Sequence, residues 1–77
     1  MISLRQIRAA RALLGWTQKD LAERCGFSTG AINRIEKGAS DPKSSSLRLI
    51  QAVFEKEGIV FIDDDNFEGV KLRKFPY

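Results

Sequence analysis

The 77-residue sequence contains no histidine and only one cysteine, Cys25. Without histidine there is no imidazole base, no Ser-His-Asp arrangement and no histidine-ligated zinc. One cysteine rules out an internal disulfide and a cysteine-based zinc site. Long apolar runs are missing too. Nothing approaches the ~20 residues that span a bilayer. Ile2 is followed at once by Ser3, Arg5 and Arg8, with no apolar signal-peptide core. The expectation is a soluble, cytoplasmic protein. Carboxylate or lysine chemistry stays formally open, but so short a chain has little room for a shaped pocket, and an enzyme is not expected.

What is present is a composition 43% hydrophobic and 30% charged, too apolar for a disordered tail. The length suits one domain. Such a chain buries only about 60% of its unfolded surface, so modest stability is expected, helped by short loops or a partner subunit. Charge is unevenly placed. Residues 1–46 carry eight basic and four acidic side chains, whereas residues 47–77 carry five basic and six acidic ones. A basic N-terminal half suits a polyanionic partner. An ordinary solvated surface would show the same charge.

Local signals divide the chain into helices. Ser3-x-x-Gln6 is a capping box ahead of Leu4, Ile7, Ala10 and Leu14, and Gly15 stops the element, predicting a helix over 4–14. Thr17 caps a second helix over 18–25, ended by Gly26, with Asp20 complementing its dipole. Trp16 and Leu21 are spaced for a hydrophobic staple, and Leu21, Ala22 and Cys25 line one face. Ser28 caps a third helix over 29–37, with Ile32 and Ile35 inward and Gly38 as terminator. The short Gly26-Phe27-Ser28 link, with Phe27 expected buried, forces helices 2 and 3 to cross steeply. After the Asp41-Pro42 loop, one of Ser44, Ser45 or Ser46 is expected to cap a fourth helix carrying Leu47, Ile50, Val53 and Phe54.

Beyond Gly58, Ile59-Val60-Phe61-Ile62 reads as one strand and Val70-Lys71-Leu72-Arg73 as a second, half-exposed one. The segment Asp63-Asp64-Asp65-Asn66-Phe67-Glu68-Gly69 is turn-rich. Its acids read as a solvated turn, since no calcium-loop spacing follows. Phe75-Pro76-Tyr77 reads as a tail. Two strands alone are marginal in water. Either they fold as a hairpin on the helices, or Ile59, Val60, Phe61, Ile62, Val70 and Leu72 pair with a second subunit; dimerisation is the favoured expectation.

The pattern Trp16-Thr17-Gln18-x-x-Leu21-Ala22-x-x-x-Gly26-Phe27-Ser28-x-x-x-Ile32-x-Arg34-Ile35-Glu36-x-Gly38 resembles the Cro/C1-type helix-turn-helix family, the lambda-repressor-like DNA-binding domains. The likeness covers about residues 3–57. It implies a mainly α fold, a bundle of four or five helices, here with a short C-terminal β-hairpin or dimerisation strands. Residues 1–58 would be the DNA-binding domain and 59–77 a β extension. It also implies a homodimer on operator DNA, regulating transcription. No cofactor or metal is implied.

A helix fits the major groove and reads bases from its N-terminal part. The base-reading candidates are Thr29, Gly30, Asn33 and Arg34. Arg34 can grip guanine bidentately, and Asn33 can meet adenine or a phosphate. Gly30 stands at a reading position of the family yet offers no side chain. The phosphate-contacting candidates are Gln18, Ser28, Lys37, Lys43 and Arg11. In the family this Gln clamps a phosphate. For each of Lys37 and Lys43 a merely solvated charge fits equally well. The family pairs the glutamate at Glu36 with a helix-1 arginine, and Arg11 stands at the matching position. Cys25 reads as a small core residue and Trp16 as a staple, not a redox sensor or a stacking platform. The rival class is an antitoxin-like module whose C-terminal strands hold a partner protein.

Overall fold

A computed structural model describes residues 1–39 and 41–74. Four helices, α1 (Leu4–Leu14), α2 (Gln18–Cys25), α3 (Thr29–Lys37) and α4 (Ser44–Lys56), are followed by strands β1 (Ile59–Asp63) and β2 (Glu68–Leu72). The fold is thus a mainly helical bundle with a C-terminal hairpin. Phe75-Pro76-Tyr77 lie outside the described residues.

The first three helices begin and end on local chemistry. Ser3 Oγ accepts from the Gln6 backbone N–H while Gln6 Oε1 accepts from the Ser3 N–H, a reciprocal cap on α1. Thr17 and Asp20 repeat the arrangement on α2. The Thr17 backbone N–H, then its hydroxyl, hold the Asp20 carboxyl below its ordinary pKa. Gly15, Gly26 and Gly38 close α1, α2 and α3 in the left-handed conformation, at φ 69°, 75° and 70°.

The start of α4 departs from the sequence reading. Lys43 occupies the N-cap, no side chain bonds there, and all three serines fall inside the first turn. The Lys43 carbonyl accepts from the N–H of Leu47, the residue that opens the helix's apolar face, at 3.1 Å.

The strands also shift, for a local reason. Asp64 Oδ1 accepts from the N–H groups of Asn66 and Phe67, both at 2.8 Å, and the Asp64 N–H bonds back to the Phe67 carbonyl. This side-chain-braced turn shortens the loop to four residues, so β2 starts at Glu68 and ends at Leu72. The strands pair antiparallel with each other, Ile59 opposite Leu72 and Phe61 opposite Val70.

The core is built from Ile7, Ala10, Leu21, Ala22, Ile32, Ile35, Ile50, Phe54 and Ile59, with Ile2 also buried. Trp16 stacks on Phe54 at 5.6 Å between centroids, and Phe61 meets Phe54 edge-on at 6.1 Å. The Arg24 guanidinium lies 4.1 Å from the Trp16 ring centre, so the indole is a packing element. Cys25 is buried, and desolvation pushes its thiol pKa up to about 11. Phe27, expected inside, is only half-buried. It sits in the turn between α2 and α3 and packs against the edge of the core.

The hairpin is tied to α1. Gln6 Nε2 donates to the carbonyls of the cross-strand partners Ile62 and Gly69, at 2.9 Å each. An exposed Arg5–Glu68 ion pair lies beside this bond. Within the chain, the hairpin is thus folded on its own helices.

Candidate nucleic-acid interface

Two short helices joined by a three-residue link form the site. Gly26 turns the chain, and the Phe27 N–H bonds back to the Ala22 carbonyl at 2.9 Å, which aims α3 across the end of α2. Within α3, Ile32 and Ile35 point into the core and are buried. Thr29, Gly30, Arg34 and Lys37 are exposed. Ser28 is exposed too, and its hydroxyl is already used, accepting from the Ala31 N–H at 3.1 Å. The outer surface of α3 therefore carries two cations and little apolar area, as a helix needs if it is to lie against a polyanion.

Behind that surface runs a polar seam. The Arg11 guanidinium grips the Glu36 carboxylate with two parallel hydrogen bonds, Nε to Oε2 at 2.7 Å and Nη2 to Oε1 at 2.8 Å. Its remaining Nη1 donates to the Trp16 carbonyl. Side-chain exposure is 19% for Arg11 and 2% for Glu36. Glu36 also accepts from Gln18 Nε2 at 3.1 Å, and Gln18 Oε1 accepts from Asn33 Nδ2 at 3.2 Å. Helices α1, α2 and α3 are thus joined through one carboxylate. Among the described residues no buried side-chain nitrogen or oxygen lacks a partner.

This geometry agrees with the family comparison. A helix-turn-helix profile of the Cro/C1 type matches residues 7–59. The chain belongs to the helix-turn-helix family. It is accordingly a DNA-binding regulatory module. No curated protein gave a significant match. Among the described residues no helix is long and apolar enough to cross a membrane.

In this helix-turn-helix protein the sequence-named site residues separate into two sets. Thr29, Gly30, Arg34, Lys37 and Ser28 lie on the open surface. Arg11, Gln18, Asn33 and Glu36 converge in the seam behind it. Lys43 stands apart, at the N-cap of α4. Sequence reasoning missed Arg8, whose Nη1 donates to the Glu36 backbone carbonyl and so ties α1 to the C-terminal turn of α3. The signal was available, because Arg8 and Arg11 are three apart and share a helix face. It also missed the second task of Gln6, and here nothing local pointed to the hairpin.

Gly30 has an ordinary helical backbone. A Cβ there would stand 3.6 Å from Arg34 Nη1 and 4.0 Å from Ser28 Oγ, both normal contacts. Gly30→Ala should therefore stabilise the protein by about 1 kcal/mol through helix propensity alone. A rise in the urea midpoint is expected, and a fall would mean that the position is more crowded than these distances imply.

Proposed function

We propose that the protein is a repressor that binds a specific duplex operator as a homodimer, with α3 in the major groove. The observation that carries this reading is the exposed α3 surface of Thr29, Gly30, Arg34 and Lys37, braced from behind by the Arg11–Glu36 pair. Arg34 reads a guanine edge, and Thr29 and Gly30 lie against the neighbouring bases. Gln18, at the first turn of α2, donates to a phosphate and sets the register. Lys37 and Lys43 add phosphate contacts, and occupancy of the operator blocks transcription.

The dimer contact is the outer face of the hairpin. Phe61 faces Phe54, and the alternation of a strand then puts Val60 and Ile62 on the opposite side. Both are only half-buried, opposite Lys71 and Gly69.

The test is selection of bound sequences from random duplex DNA at about 150 mM salt, which suppresses phosphate-only binding. A palindromic consensus is expected, with half-sites about 34 Å or a multiple apart. Arg34→Ala should cost about 1–3 kcal/mol and relax the base choice at one position. Unchanged affinity and unchanged preference in that variant would remove Arg34 from the site. A consensus with a single half-site, together with monomeric sedimentation, would overturn the homodimer. No enrichment at all would move the weight to a partner protein held by the hairpin.

A further inference from the structure

Each group in the seam between α2 and α3 has its polarity set by its neighbour. Arg11 can only donate, so it holds the Glu36 carboxylate as an acceptor. Glu36 Oε1 then takes an N–H of Gln18. That decides which end of the Gln18 amide faces the carboxylate, because a flipped amide would set oxygen against oxygen. The other end, Oε1, is occupied by Asn33 Nδ2. Gln18 is left with one unspent Nε2–H, together with the backbone N–H groups at the start of α2. Toward an incoming ligand it presents that N–H, while the Oε1 end is turned to Asn33. A phosphate oxygen can accept that N–H.

From this arrangement we infer that Asn33 is a positioning residue for the Gln18 phosphate contact and not a base reader. The inference rests on the operator-binding reading above. Asn33 is half-buried in the seam, and one of its two N–H groups is spent on Gln18. Thr29, Gly30 and Arg34 are exposed and stand where bases would be met. Asn33 acts by keeping the Gln18 oxygen turned away from the phosphate. The base sequence of the operator does not enter into that task.

The experiment is a double-mutant cycle on the full chain with Gln18→Ala, Asn33→Ala and the combined variant. Binding is measured to the selected duplex and to a scrambled duplex, well below each variant's thermal midpoint. Each single substitution should weaken binding to both duplexes alike, by about tenfold, and the double variant should lose no more than either single. Sequence selection with Asn33→Ala should return the wild-type consensus. Additive losses in the cycle would overturn the inference, as would the disappearance of one consensus base in Asn33→Ala alone. A wild-type chain that enriches no sequence would overturn the operator reading and this inference with it, an outcome distinguishable from additivity.

Discussion

Arg11→Ala is expected to remove a large share of the molecule's folding stability. The Glu36 side chain is 2% exposed, and Arg11 supplies two of the three side-chain hydrogen bonds that hold its charge. Without the guanidinium the carboxylate keeps only the Gln18 amide. Removing one partner of a buried ion pair costs about 3–5 kcal/mol, because the other charge stays desolvated. A domain of this length holds only about 4–12 kcal/mol in total. Urea unfolding followed by far-UV circular dichroism measures the loss. A midpoint equal to the wild-type one would show that the pair contributes nothing. The paired replacement Arg11→Met with Glu36→Leu separates folding from binding. Apolar side chains of similar volume should restore most of the stability. DNA affinity should stay low, because Gln18 has lost the acceptor that orients it.

Phe54→Ala should be comparably severe, at about 3–5 kcal/mol, and for a different reason. The ring is fully buried and meets Trp16 on the helical side and Phe61 on the hairpin side. Truncation opens a cavity between two elements that have no other aromatic bridge among the described contacts. The thermal midpoint should fall by well over 10 °C, at about 4–8 °C per kcal/mol for a domain of this size. Trp16 fluorescence should report the change directly, since the indole loses its stacking partner. Phe54→Leu, which keeps most of the volume, should cost only about 1 kcal/mol. If Phe54→Ala also cost no more than that, the ring would not be the link between hairpin and bundle.

The two variants fail through different physics, which their conservative partners expose. The Arg11 defect is electrostatic and is relieved by deleting the opposite charge. The Phe54 defect is one of volume and contact, and is relieved by filling the space.

The helix boundaries were legible in the sequence because their signals are local. Ser3, Thr17 and Ser28 each bond within three residues, and Gly15, Gly26 and Gly38 end helices through backbone conformations that other residues adopt poorly. The same logic failed at α4. A serine run offers three equivalent caps, so the local signal singles out none, and the helix starts ahead of all three. The turn at Asp64 shortened the loop through a side-chain bond that composition alone does not register.

By itself, then, the sequence determined the order and type of the elements, the inward faces of α2 and α3, and the family. All of these follow from residues within a helical turn or two of one another. The tertiary structure alone decided three things. It placed the hairpin on α1 through Gln6, whose partners Ile62 and Gly69 lie 56 and 63 residues away. It brought Arg8 to the Glu36 carbonyl, and it turned Asn33 toward Gln18 instead of outward. Each depends on where a polar group buried by folding can find a partner. Such a group must be satisfied once water is excluded, but only the assembled chain specifies which distant atom satisfies it.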